Sequence, residues 1–248
     1  MKIFALSDVG KIREDNEDNF GFETMGDEQG VFVVCDGMGG AQAGQVASQI
    51  ASTVFISELK GYVREKMTLR YMESTLQNAL RFACYETYQK ANSAPEFYGM
   101  GTTLVGGIYH NGQVLLANIG DSRAYFFDGE TLSQTTRDHS FVEELVQLGE
   151  ITEEEARSHP RRNIITRALG PDRRPKPDYF PFTMEKGQKL LLCSDGLSNM
   201  VKDDQIAEIL KNTPDEEICK ALVDKANENG GLDNITVLLL TCTEAVIE

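Results

Sequence analysis

The stretch VVCDGMGGAQAG, Val33–Gly44, runs from a short apolar segment into a single acid and then into glycine. Val33, Val34 and Cys35 read as the end of a buried strand, with Asp36 at its terminus. Gly37, Gly39 and Gly40 follow within four residues, before a helical pattern begins. Glycine permits dihedrals closed to other residues and leaves room beside the backbone, so this turn can hold a ligand. Taken alone, the glycines fit a tight strand-to-helix turn equally well.

Outward from this stretch, nine segments rich in β-branched and aromatic residues read as strands: Lys2–Ser7, Asn19–Glu23, Gly30–Cys35, Thr103–His110, Gln113–Ile119, Arg123–Phe127, Lys176–Thr183, Lys189–Ser194 and Asn234–Cys242. Asn111-Gly112 separates two of them and predicts a type I′ hairpin between antiparallel neighbours. Two long helices are expected. One spans Ala41–Leu59, with Ala43, Val46, Ala47, Ile50 and Val54 on its apolar face. The other spans Thr68–Asn92, with Leu69, Met72, Leu76, Leu80 and Ala83 inward. Shorter helices are expected at Phe141–Leu148, Asp203–Leu210 and Asp215–Asn229. Asp203 and Asp215 stand where the helix dipole favours an acid. Strands and helices come in separate runs without βαβ alternation, which predicts an α+β domain with antiparallel sheets. Nine strands are economically arranged as two packed sheets with helices outside.

At 248 residues, 41% apolar and 25% charged, the chain has ordinary globular composition. A net charge of −15 disfavours nucleic acid and anionic lipid as partners. MKIFALSDVGK is too short an apolar run before Asp8 for a signal peptide, and no apolar run reaches membrane-spanning length. Cys35, Cys84, Cys193, Cys219 and Cys242 are scattered in apolar contexts without a CxxC, the pattern of reduced buried thiols in a cytoplasmic protein. Prolines gather between Pro160 and Pro181, which marks an irregular excursion rather than a clear domain boundary.

Asp18, Asp36, Asp121, Asp195 and Asp233 each lie at or next to the end of an apolar strand. One such acid is normally a turn or cap residue. Five are harder to dismiss, because strands feeding a common edge would gather them. Gathered carboxylates repel and raise one another's pKa, and a divalent cation relieves this. Oxygen ligation without His or Cys suits Mg2+ or Mn2+. Two such ions about 3.5–4 Å apart lower the pKa of a shared water and clamp an in-line phosphoryl transfer. Arg13 precedes the first acid cluster, and its fork-shaped donor matches a phosphate dianion.

The ordered segments REDNEDN (13–19), VCDGMGG (34–40), GTTL (101–104), NIGDSRAY (118–125), TRDHS (136–140), NIITRALG (163–170), CSDGL (193–197) and DNITV (233–237) resemble the metal-dependent Ser/Thr protein phosphatases of type 2C, in their compact bacterial form. The resemblance runs essentially end to end. It implies a central β-sandwich flanked by helix pairs, a four-layer α-β-β-α arrangement, over residues 1–248 as one catalytic domain. It implies two core Mn2+ or Mg2+ ions held by Asp36, the Gly37 carbonyl, Asp195 and Asp233, with Glu17 and Asp18 in the outer shell. It further implies substrate phosphate at Arg13, a third and weaker metal site at Asp121 with Asp195, and a mobile flap over about 139–167. Many eukaryotic members carry His two residues after the bridging aspartate, as a proposed general acid; here that residue is Met38, which donates no proton. The implied partners are phosphorylated proteins and an opposing Ser/Thr kinase. A cytoplasmic monomer without nucleic-acid or membrane partners is expected.

Other chemistries find less support. The sixth residue after each of Cys35, Cys84, Cys193 and Cys219 is Ala41, Lys90, Asn199 and Lys225, so no Cys-x5-Arg nucleophile exists. GxxxxGK[ST] and HExxH are absent, and His110, His139 and His159 are scattered as surface, hairpin or flap residues, with His139 nearest the expected site. A two-metal nuclease shares the acids but conflicts with the net charge. A non-catalytic scaffold of this fold would be expected to lack some of the acids. Arg161, Arg162, Arg167, Arg173 and Arg174 cluster in sequence and read as a solvated basic loop, or as a patch that steers acidic phosphopeptides.

Overall fold

A computed structural model of the chain describes residues 1–39 and 43–242. Gly40 and the expected helix start at Ala41 lie outside the described residues. In chain order the elements are β1 (Lys2–Asp8), β2 (Asn19–Thr24), β3 (Gln29–Cys35), β4 (Gly37–Met38), α1 (Ala43–Tyr62), α2 (Leu69–Ala91), β5 (Gly101–Thr102), β6 (Leu104–His110), β7 (Gln113–Ile119), β8 (Arg123–Phe127), β9 (Leu132–Gln134), α3 (Phe141–Gln147), α4 (Glu153–Ser158), β10 (Asp178–Thr183), β11 (Lys189–Cys193), α5 (Asp195–Ser198), α6 (Asp203–Asn212), α7 (Asp215–Glu228) and β12 (Ile235–Thr241). Two five-stranded antiparallel sheets, ordered β1-β12-β11-β8-β9 and β10-β7-β6-β3-β2, form a sandwich. The expected α+β class and paired sheets are both present.

Strand alternation builds the layers. Phe32 and Val34 of β3 join Val105, Leu116, Leu190, Leu192, Leu238 and Leu240 between the sheets. Val31, Val33 and Cys35 point the other way, onto Phe55, Leu59, Met72, Leu76 and Leu80 of α1 and α2. On the far side Leu191, Cys193, Val237 and Leu239 pack against Ile206, Leu210, Ile218 and Leu222 of α6 and α7. Both faces of β3, β11 and β12 are thus covered, which is why these strands read as continuous apolar runs.

The Asn111-Gly112 turn has positive φ at both residues, 49° and 78°, as a type I′ hairpin requires. β10 starts at Asp178 rather than at Lys176, since Pro175 and Pro177 cannot donate to a ladder. Pro181 is accommodated because β10 is an edge strand. The inward face of α1 departs from expectation. Val46, Ile50 and Val54 are only half-buried, while Ala43, Gly44, Ala47, Ser48, Ala51 and Ser52 are buried. Small residues let α1 approach the sheet closely, and Ser48 Oγ donates to Glu17 O at 2.6 Å while Ser52 Oγ donates to Asn19 Oδ1 at 3.1 Å. Leu69, expected inward, is 39% exposed at the first turn of α2.

Candidate active site

Antiparallel register gathers the acids. Cys35 ends β3 opposite Asn19, the first residue of β2, so Asp36 and Asp18 become neighbours. Cys193 ends β11 opposite Val237 near the start of β12, which sets Asp195 beside Asp233. Ile119 ends β7 opposite Leu104 at the start of β6, which puts Asp121 at the same end of the sandwich.

Glycines set how closely these turns meet. A Cβ on Gly196 would collide with the carbonyl oxygen of Asn234, so only glycine lets the first turn of α5, carrying Asp195, lie against the entry to β12. A Cβ on Gly44 would come within 2.7 Å of Glu17 Oε1, and the Gly44 N–H donates to the Glu17 carboxylate. Gly37 donates its N–H to Glu17 O at 3.2 Å. Asp36 is fixed through its main chain: its N–H donates to Thr103 Oγ1 at 2.9 Å, and its carbonyl accepts from Thr103 N at 2.8 Å and Thr102 Oγ1 at 2.9 Å.

Beneath the site, Asp18 is buried and accepts from Ser194 Oγ at 2.7 Å. Asn234, also buried, ties the N-terminal loop to β12. Its Oδ1 accepts from Glu17 N at 2.9 Å, and its Nδ2 donates to Val9 O at 2.9 Å and Asp15 O at 3.0 Å. This loop carries Arg13, whose Nη2 donates to Asp233 Oδ2 at 2.7 Å. Burial alone would lower the Arg13 pKa, but the charge and hydrogen bond of Asp233, with Glu17 and Asp195 behind, hold it up.

The charges are strongly unbalanced. Burial, then the charges of Asp18, Asp195, Asp121 and Asp233, push the Asp36 carboxyl well above the usual range. Burial pushes Asp18 up to about 7 against the pull of Ser194 and Thr236. Burial, then Asp195 and Asp138, push Asp121 up to about 8. Burial, then Asp233, push Asp195 up to about 6, and its carboxylate lies within hydrogen-bonding reach of Asp36. Glu17 is raised by burial, with Arg13 and the Gly44 N–H opposing. Asp121 Oδ1 is buried and has no hydrogen-bond partner.

These features fit divalent cations: an all-oxygen donor set, mutual repulsion, and a buried carboxylate oxygen without a donor. Among the described residues no three His, Cys, Asp or Glu side chains close into a ready-made cage. Mg2+ keeps much of its water shell and is bound through one or two carboxylates, a demand the separate acids here can meet.

A cleft of about 1000 Å3 opens beside the acids, between the 139–167 segment and α5–α6, with Asp121 and Asp195 on its wall. Of the five arginines read as a solvated basic loop or a steering patch, Arg162 lines this cleft. Arg167 is drawn inward to Lys176 O and Asp178, Arg161 lies 4.1 Å over the Phe141 ring, and Arg173 and Arg174 are exposed on the following loop. The cleft takes its other cations from Arg123, Arg137, Arg157 and Lys202. Arg123 is held by Asp138 through Nη2 at 2.7 Å and Nε at 3.0 Å. His139, read from sequence as a surface, hairpin or flap residue, is 4% exposed, and its Nδ1 accepts from the N–H of Gly120, the residue before Asp121, at 3.1 Å.

Asn234, Gly44, Gly196 and Thr103 carry much of this geometry, and their roles were not read from sequence. All four lie within or beside the quoted motifs, which was the available signal.

Comparison with known proteins agrees. A family model described as Protein phosphatase 2C matches residues 12–227. The serine/threonine phosphatase stp of Listeria innocua is 43% identical over 235 residues, spanning 94% of this chain and 93% of that one. The Mycobacterium tuberculosis serine/threonine phosphatase PstP/Ppp superposes with a TM-score of 0.88 at 36% identity, covering 98% of this chain and 99% of that one. The catalytic domain of PstP in complex with two manganese ions superposes with a TM-score of 0.84 at 33% identity, covering 98% of each chain.

Proposed function

The chain belongs to the protein phosphatase 2C family and is a metal-dependent protein serine/threonine phosphatase, and we propose that Asp36, Asp195, Asp233 and the Gly37 carbonyl hold its core cations while Arg13 receives the substrate phosphate. The convergence of acids from separate strand ends beside one arginine fork carries this reading. Glu17 and Asp18 support the core acids from the side and from below. Asp121 with Asp195 would hold a third cation, which the unpartnered Asp121 Oδ1 favours.

Bound divalent ions supply Lewis acidity and a water acidic enough to attack phosphorus at neutral pH. The chain's own part is alignment. Arg13, anchored on Asp233, presents a planar donor to the phosphoryl oxygens and offsets their charge. The Thr102–Thr103 contacts fix the Asp36 backbone, so its carboxylate would receive the cations without reorganisation. In-line attack forms the new P–O bond and breaks the bond to the seryl or threonyl oxygen, releasing inorganic phosphate and the free hydroxyl once that oxygen takes a proton. Met38 cannot give that proton. Water held beside Asp121 and Asp195 would be the proton source.

The substrates are phosphorylated proteins, so a kinase acting on serine and threonine must supply them. Among the described residues no helix is long and apolar enough to cross a membrane, and Cys35, Cys84, Cys193 and Cys219 are buried thiols outside any disulfide. We propose a cytoplasmic monomer with one catalytic domain, in which the 139–167 segment serves as a flap beside the cleft it lines. The test is phosphate release from a phosphothreonine peptide across a Mn2+ titration. Asp36→Asn should lose turnover by at least a thousandfold while keeping a cooperative unfolding transition. Near-normal release by a folded Asp36→Asn protein would overturn the assignment.

A further inference from the structure

His139 is held by contacts that the phosphatase chemistry does not itself require. Its Nδ1 accepts the N–H of Gly120 at 3.1 Å, so the ring proton is on Nε2. Its own N–H donates to Gly120 O at 2.9 Å, and its carbonyl accepts from Thr166 N at 2.8 Å. Nε2 faces Asp178 Oδ2 at 3.1 Å. Arg167 Nη1 stands 3.0 Å from Nε2 and reaches Asp178 Oδ1 at 3.3 Å. Thus both ends of the flap, His139 and Arg167, close on one carboxylate at the start of β10, and an antiparallel bridge between Ser140 and Ile165 seals the base.

Gly120 is the residue before Asp121. It has φ of 107° and packs on Thr103, whose Oγ1 lies 2.7 Å from Ser122 Oγ and accepts from Asp36 N. The Gly120–Ser122 turn is therefore clamped between Thr103 on the core-acid side and His139 on the flap side. Between the two clamps Asp121 extends a buried Oδ1 with no partner.

We infer that His139 is the positioning residue for Asp121, and that it ties the base of the flap to cation binding at the Asp121–Asp195 pair. The inference rests on the reading of that pair as a third cation site. One backbone hydrogen bond and one imidazole nitrogen tie the turn to His139, and the Thr166 N–H holds the His139 carbonyl from across the flap base, so a shift of the flap base moves Asp121. An ion held by Asp121 in turn holds His139, Thr166 and the flap base in register.

Substitutions separate the two sides of the ring. Asn places an acceptor near the Nδ1 position and cannot reach Asp178. Gln reaches toward Asp178 and leaves the Gly120 N–H buried without an acceptor. Direct Mn2+ binding should be measured by calorimetric titration and by electron paramagnetic resonance of free Mn2+, alongside limited proteolysis within 141–164. His139→Gln should weaken the weakest class of Mn2+ site at least tenfold, spare the tighter classes, and remove the protection from proteolysis that Mn2+ confers. His139→Asn should bind at that site within about threefold of the parent. Asp121→Asn should abolish the same class. If Asp121→Asn loses the ion while His139→Gln keeps it, the site stands and the inference is refuted. If Asp121→Asn binds like the parent, the third site is wrong and the inference falls with it. Equal losses in the His139→Asn and His139→Gln variants would also refute it. Should the His139→Gln variant not fold, 15N-labelled parent protein answers the question under Mg2+ titration. Gly120 and Thr166 amides and the His139 ring nitrogens should then shift with one apparent affinity, and separate affinities would overturn the proposal.

Discussion

Removing divalent cations should reverse the way stability depends on pH, and the buried acids give the scale. In the unfolded chain an aspartate titrates near 3.8, whereas in the fold Asp195 is pushed to about 6, Asp18 to about 7 and Asp121 to about 8, and burial with the neighbouring acids raises Asp36 well above the usual range. Each raised carboxyl keeps its proton in the folded state where the unfolded state has lost it. Its stabilising contribution is therefore complete only below about pH 4 and is lost as pH rises through the folded value. Asp36 and Asp195 are partly solvated and the group shares protons, so about two extra protons are retained near pH 6. Two protons correspond to a loss of about 3 kcal/mol per pH unit, or roughly 5–10 °C in Tm for a chain of this size. Cation-free protein should accordingly lose stability steeply between about pH 5.5 and 7.5. Saturating Mn2+, which binds carboxylate and not carboxylic acid, should make stability rise over the same range. Urea unfolding of metal-stripped and Mn2+-loaded protein at several pH values measures both slopes. Asp18→Asn supplies the control: it removes one titrating group beneath the site, so the slope should flatten by up to about 1.4 kcal/mol per pH unit. A metal-stripped protein that gains stability over that range, or an Asp18→Asn variant with the parental slope, would refute the reasoning.

Three further substitutions probe the scaffold around the acids. Asn234→Ala should leave Glu17 N, Val9 O and Asp15 O without their partner, costing about 2–4 kcal/mol in urea unfolding and at least tenfold in kcat/KM. Gly44→Ala would press a methyl against the Glu17 carboxylate and the Gly37 backbone, and should lower kcat/KM tenfold or more with a loss of about 1–3 kcal/mol in thermal unfolding. Arg13→Lys keeps a charge beside Asp233 but loses the planar fork, so steady-state kinetics should show KM for a phosphothreonine peptide raised about tenfold with a smaller change in kcat.

The layers were legible from sequence because burial is a local property. Alternating strand residues face either helices or the opposite sheet, and β3, β11 and β12 announce burial on both faces as unbroken apolar runs. The acids were legible for a related reason: a polar residue that ends such a run must lie at an edge, and antiparallel pairing makes strand starts and strand ends share that edge. Helix α1 shows where the pattern fails. Periodicity favours its largest residues, yet close approach to Glu17 and Asn19 selects the stripe of Gly, Ala and Ser, and leaves Val46, Ile50 and Val54 half-covered. Partners of buried polar groups were illegible for a different reason. Asn234 bonds to Glu17 across 217 positions and Ser194 to Asp18 across 176, and neither residue carries a local mark of its partner. His139 combines both difficulties, since its ring nitrogens meet Gly120 and Asp178 only after the register of β7 with β10 is set, pairing Asn118 with Asp178. The hydrophobic pattern decides which strand ends meet. The long-range polar contacts then decide how rigidly the acids at those ends are aimed, and so how well they can offer oxygen to an ion and a phosphate at once.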